Sequence, residues 1–120
     1  MNAARQQIST MCASLGLSIY SMEHSSAPLS SAEQVFVTGY RQLHRQLSKA
    51  LNRDEADRVA LNPVQLPLLR ASLIGTFAYV QEYPADLPNV PEIREPLKPE
   101  RLAWALSQVN DWIAHPPVSA

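Results

Sequence analysis

Between Leu66 and Gln81 the chain carries a single charge, Arg70, in a stretch of helical length that is apolar on more than one side. A polypeptide of 120 residues has little other protein with which to wrap such a segment. A domain of this size buries roughly two-thirds of its unfolded surface, so part of the segment is expected to meet a partner. At about 100° per residue, Leu66, Leu69, Leu73, Phe77 and Val80 share one face. Leu68, Ala71, Ser72, Gly75, Ala78 and Tyr79 fall on the opposite one. That second face is mostly small, so another helix backbone can approach it closely. The small-x-x-x-small spacing of Ala71 and Gly75 is diagnostic only inside membranes and carries little weight here. A helix enclosed by its own chain is the competing expectation.

The ends of this segment are set by prolines. Asn62-Pro63 suits a helix start, because proline at the first helical position has no amide to waste. A start at Pro67 is the alternative, since proline inside a formed helix removes a backbone bond. Pro84 disfavours helix in the residue before it, which puts the end near Tyr83. Thr76, Phe77, Tyr79 and Val80 have strand propensity, but the length of the segment favours helix.

Three further helices are expected. Asn2 to Leu15 places Ala4, Ile8, Met11, Cys12 and Leu15 on one side, with Gly16 positioned to end it and Leu17 to Met22 left as a brief extended piece. After a loop from Glu23 to Leu29, Ser30-Ser31-Ala32-Glu33 has the spacing of a capping box. The helix it opens runs to about Leu51 on a stripe of Phe36, Tyr40, Leu43, Leu47, Ala50 and Leu51, and Asp54 to Leu61 adds a turn or two. Pro84, Pro88, Pro91, Pro96 and Pro99 then make a stiff, extended connection over 84–99. Pro99-Glu100 opens the last helix, with Leu102, Ala105, Leu106, Val109 and Ile113 on one face and His115-Pro116-Pro117 as its stop. Residues 116–120 read as a flexible tail. The expected fold is all-α: a small helical bundle of four main helices in one domain over 1–120, with the third helix at its centre and a long proline-rich connection before the last.

Composition narrows the function. Apolar residues are 46% and charged residues 18%, and the net charge is −1, so nothing global draws the chain to nucleic acid or an anionic membrane. The longest nearly uncharged apolar run, Ala71 to Val80, is about half of the ~20 residues that span a bilayer. One cysteine and no signal-like leader favour a reducing cytoplasm. Cys12, beside Ile8 and Leu15, reads as a small hydrophobe rather than a nucleophile. His24, His44 and His115 show no metal-ligand spacing, and Gly16, Gly39 and Gly75 are too isolated for a phosphate loop. Asp54, Glu55 and Asp57 suggest a solvated helix start, not a paired acid and base. No catalytic residue, cofactor or metal is expected. Pro88-x-x-Pro91 and Pro96-x-x-Pro99 match polyproline ligand spacing but read as a rigid spacer.

Two surface features remain. Trp104 projects away from the apolar stripe of the last helix and would make a good binding anchor unless the proline-rich connection folds back over its ring, the competing expectation, whereas Trp112 lies nearer the core side. Arg41, Arg45 and Lys49 form a basic stripe suited to nucleic acid or an acidic partner. A solvated face near a helix end would look the same. The function expected is therefore a non-enzymatic regulatory module, a homodimer that binds and sequesters another protein through Leu68, Ala71, Ser72, Gly75, Ala78, Tyr79 and Trp104. In size and class alone the chain resembles the short helical antagonists of bacterial transcriptional activators, and an anti-activator covering a regulator's dimerisation surface is one concrete form. A DNA-binding regulator using Arg41, Arg45 and Lys49, and a chaperone or immunity-type protein for a secreted partner, are the alternatives.

Overall fold

Four helices account for most of the computed structural model, which describes residues 4–25, 27–53, 61–83, 85 and 94–115. They are α1 (Arg5–Glu23), α2 (Ser31–Asn52), α3 (Leu66–Glu82) and α4 (Pro99–Ala114), with a 3-10 turn, Pro63–Gln65, ahead of α3. The all-α bundle follows from the helical spacing of apolar residues in the sequence. The expected turns over 54–60, most of the proline-rich connection and the 116–120 tail lie outside the described residues.

Local chemistry starts each helix. The Ser30 hydroxyl accepts from the Glu33 amide at 3.2 Å, and the Glu33 carboxylate accepts from the Ser30 amide at 3.0 Å. Those bonds, the backbone one foremost, hold the Glu33 carboxyl below its ordinary range. Both prolines near the start of α3 are used. Asn62 caps the 3-10 turn, its side-chain oxygen accepting from Val64 at 3.0 Å, and Pro67 then sits in the first turn of α3, where its missing amide costs nothing. At α4, Pro99 takes the first turn, and Glu95 pairs with Lys98 at 3.0 Å and Arg101 at 3.3 Å.

Two expectations about α1 need correction. The helix does not stop at Gly16, and Leu17 to Met22 is not extended; one uninterrupted helix runs to Glu23. Gly16 keeps helical geometry, because a left-handed stop would have pulled Leu17 and Met22 away from the core they pack against. Nor is α3 the enclosed helix. From Gln7 to Ile19 no residue of α1 is exposed, and α1 packs against all three other helices.

The contacts define the arrangement. Glu23 meets Arg41, Cys12 meets Ser48 and Arg5 meets the carbonyl of Leu51, so α1 and α2 run antiparallel. Ser14 meets Thr76 and Ser18 meets Ser72, so α1 and α3 also run antiparallel. Arg70 Nε donates to Asn110 at 2.8 Å across α3 and α4. Between them lies one core, centred on Ile8, Met11, Leu15, Leu43, Leu47, Leu69, Leu73 and Leu102. The segment entering α4 docks there too: Leu97 is buried, and Thr10 donates to the carbonyl of Pro96 at 2.7 Å.

In α2 the buried row is Val37, Tyr40, Leu43, Leu47 and Ala50. Phe36, expected on that stripe, is 48% exposed, because the row is rotated toward Val37 at its first turns. In α4 the buried row is Leu102, Ala105, Val109 and Trp112, so Trp112 takes the place expected for Ile113, which is exposed.

Candidate interaction surface

The outer half of α3 is the largest departure from a simple bundle. Leu66, Leu69, Leu73 and Val80 face inward as expected, and Phe77 is half-buried. Ala71, Gly75, Ala78 and Tyr79 face solvent. Ile74, which sequence reasoning assigned to neither face, stands with them at 41% exposure. Its helical angle falls beside Ala71 and Ala78 at about 100° per residue, and that was the available signal.

Two members of the expected surface lie elsewhere. Ser72 is buried, 2% exposed, and bonds Ser18 at 2.7 Å and Ser14 at 3.1 Å. It belongs to the contact with α1, since a hydroxyl at that angle finds two serines opposite. Leu68 is half-buried and lies against Gly39 of α2, where a Cβ on the glycine would come within 2.5 Å of Leu68 Cδ2. Trp104 is 44% exposed, on the side of α4 away from its buried row, and is not covered as the competing expectation had it. It does not join the α3 surface, however. Ala103, Leu106 and Asn110 line the groove that α4 forms with Phe77 of α3. Trp104 lies about 100–160° round α4 from those residues, on the flank facing away from α3.

Ser14, Ser18, Ser72 and Thr76 form a chain of hydroxyls between α1 and α3, with Ser14 and Thr76 2.7 Å apart. Beside this chain a cleft of about 280 Å³ opens, with Leu17, Met22 and Tyr40 on one wall and Ala71, Gly75 and Tyr79 on the other. Burial pushes the Tyr40 phenol pKa up. Small side chains on both helices leave this space unfilled, and the rim of the cleft is continuous with the outer α3 face. The hydroxyls bond one another, and among the described residues no imidazole or carboxylate is hydrogen-bonded to them.

The remaining chemistry is sparse. Burial pushes the Cys12 thiol up to about 11, against a smaller opposing effect of Ser48 Oγ at 3.9 Å. Such a thiol is a poor nucleophile. Among the described residues no three His, Cys, Asp or Glu side chains gather as a metal site, and no helix is long and apolar enough to cross a membrane. Arg41, Arg45 and Lys49 are exposed along α2, with Arg41 paired to Glu23. Compared with protein-family models, curated proteins and solved structures, the chain matches none.

Proposed function

We propose that this protein is a non-enzymatic regulatory binder: a cytoplasmic homodimer that sequesters a partner protein, acting through the outer face of α3. The observation that carries the reading is Gly75. A Cβ built there meets nothing within 4 Å, and the residue sits in the middle of a regular helix. A glycine in such a place costs about 0.5–1 kcal/mol relative to alanine. Among the described residues nothing packs against it. A second helix backbone drawn close to Ala71, Gly75 and Ala78 would. Ile74 and Tyr79 flank the site with apolar surface that such a contact would bury.

Sequestration of a transcriptional regulator by covering its dimerisation surface is the concrete form of this activity. Trp104, exposed on α4, supplies a separate aromatic anchor for the captured protein. Light scattering at tens of micromolar tests the self-association step. Wild type is expected to be dimeric and Gly75→Leu monomeric with unchanged helicity; a monomeric wild type would remove the dimer.

A further inference from the structure

A second surface, sharing no residue with the outer α3 face, lies between α1 and α2. It is a groove of about 480 Å³ walled by Arg41, His44, Arg45 and Lys49, with Ser48 and Asn52 beside them and Ile19 at its floor. Helix-end electrostatics do not account for it. The negative end of a helix acts within its last turn, which in α2 holds Lys49 but neither Arg45 nor Arg41.

One rung of this basic ladder is already filled. Glu23, carried on a helix antiparallel to α2, pairs with Arg41 at one end of the groove. Arg45 and Lys49 repeat the same position one and two turns further on, roughly 6 Å apart along the axis. Both are exposed, and neither forms an ion pair among the described residues. The Glu23–Arg41 contact thus displays how a helical carboxylate fits this face, and Arg45 and Lys49 present the same geometry to a further carboxylate.

We propose that the groove binds an acidic helical segment of a partner protein, whose carboxylates at four-residue spacing pair with Arg45 and Lys49 while an apolar side chain rests on Ile19. Arginine suits a carboxylate because its planar fork gives two parallel hydrogen bonds. A nucleic-acid backbone fits less well. It brings charge without an apolar side chain for Ile19, and the chain as a whole is net negative.

The test titrates the full chain, at low salt, with a fluorescently labelled helical peptide carrying glutamate at every fourth position and leucine between. Binding is expected, with salt-sensitive affinity and amide shifts confined to the α1–α2 groove. The glutamine version of the peptide is expected to lose it. Arg45→Ala with Lys49→Ala, checked for unchanged helicity, is expected to weaken it about tenfold or more. Gly75→Leu is expected to leave it unchanged, so failure here and failure of the α3 reading are separate results. No binding at low salt, equal binding by the double variant, or tighter binding of a DNA duplex than of the peptide would each overturn the proposal.

Discussion

Ser14 on α1 and Thr76 on α3, both buried, share a 2.7 Å hydrogen bond between the two helices. Ser14 also lies 3.1 Å from Ser72, which in turn bonds Ser18 at 2.7 Å. These four hydroxyls join the most enclosed helix to the most apolar one.

Thr76→Val keeps the side-chain shape and removes one link of the chain. Ser14 still has Ser72, so the expected loss is about 1 kcal/mol. Ser14→Ala should cost more, about 1–3 kcal/mol, because it leaves the buried Thr76 hydroxyl without that partner. Urea denaturation should show lower midpoints at an unchanged slope for both variants. Equal effects would mean that Ser14 is not the hub.

Two helical glycines should respond oppositely to alanine. At Gly75 a Cβ meets open space, so Gly75→Ala should raise monomer stability by about 0.5–1 kcal/mol. At Gly39 the new methyl would stand 2.5 Å from Leu68 Cδ2, so the leucine must give way and the helix-propensity gain is offset. Thermal melts of the two variants side by side check this. A comparable rise for Gly39→Ala would show that Leu68 yields freely.

The two tryptophans should separate cleanly. Trp112 is 5% exposed, and its removal to alanine should cost about 3–5 kcal/mol. Trp104→Ala should cost about 1 kcal/mol or less while weakening capture of the partner. Acrylamide quenching of the single-tryptophan variants provides an independent reading, with Trp104 the accessible indole. A collapse of stability in Trp104→Ala would place it in the core.

Cys12 should resist thiol reagents in the folded protein and react on unfolding. Its folded pKa, about 11, lies above the ordinary 9.0, so the unfolded chain loses this proton first as pH rises. The group's contribution is therefore fully present below pH 9 and declines between pH 9 and about 11, with a limiting slope of about 1.4 kcal/mol per pH unit. Cys12→Ala should flatten that part of the stability profile. An unchanged profile would show that the thiol does not titrate differently on unfolding.

Helix class, caps and most of the buried rows were written in the sequence by itself, Phe36 and Ile113 being the members that the structure turns outward. Ser30 with Glu33, Asn62 with Pro63 and Pro99 are local devices, acting within a few residues through backbone groups that any helix end must satisfy. The position of Trp104 off the apolar stripe of α4 was legible for the same reason, since a helix fixes the angle between neighbouring side chains, but whether other chain covered its ring was not. Only the tertiary structure decided which helix is enclosed. α1 carries Gln7, Thr10 and Ser14 into the interior, whereas the more apolar α3 keeps half its surface in water. A buried hydroxyl or amide is tolerated once a facing residue supplies its hydrogen bond. That residue is set by which helices the chain brings together: Ser72 and Thr76 for Ser14, the Pro96 carbonyl for Thr10 and the Trp104 carbonyl for Gln7. Helical periodicity marks the faces a helix offers; topology determines how many of them are covered.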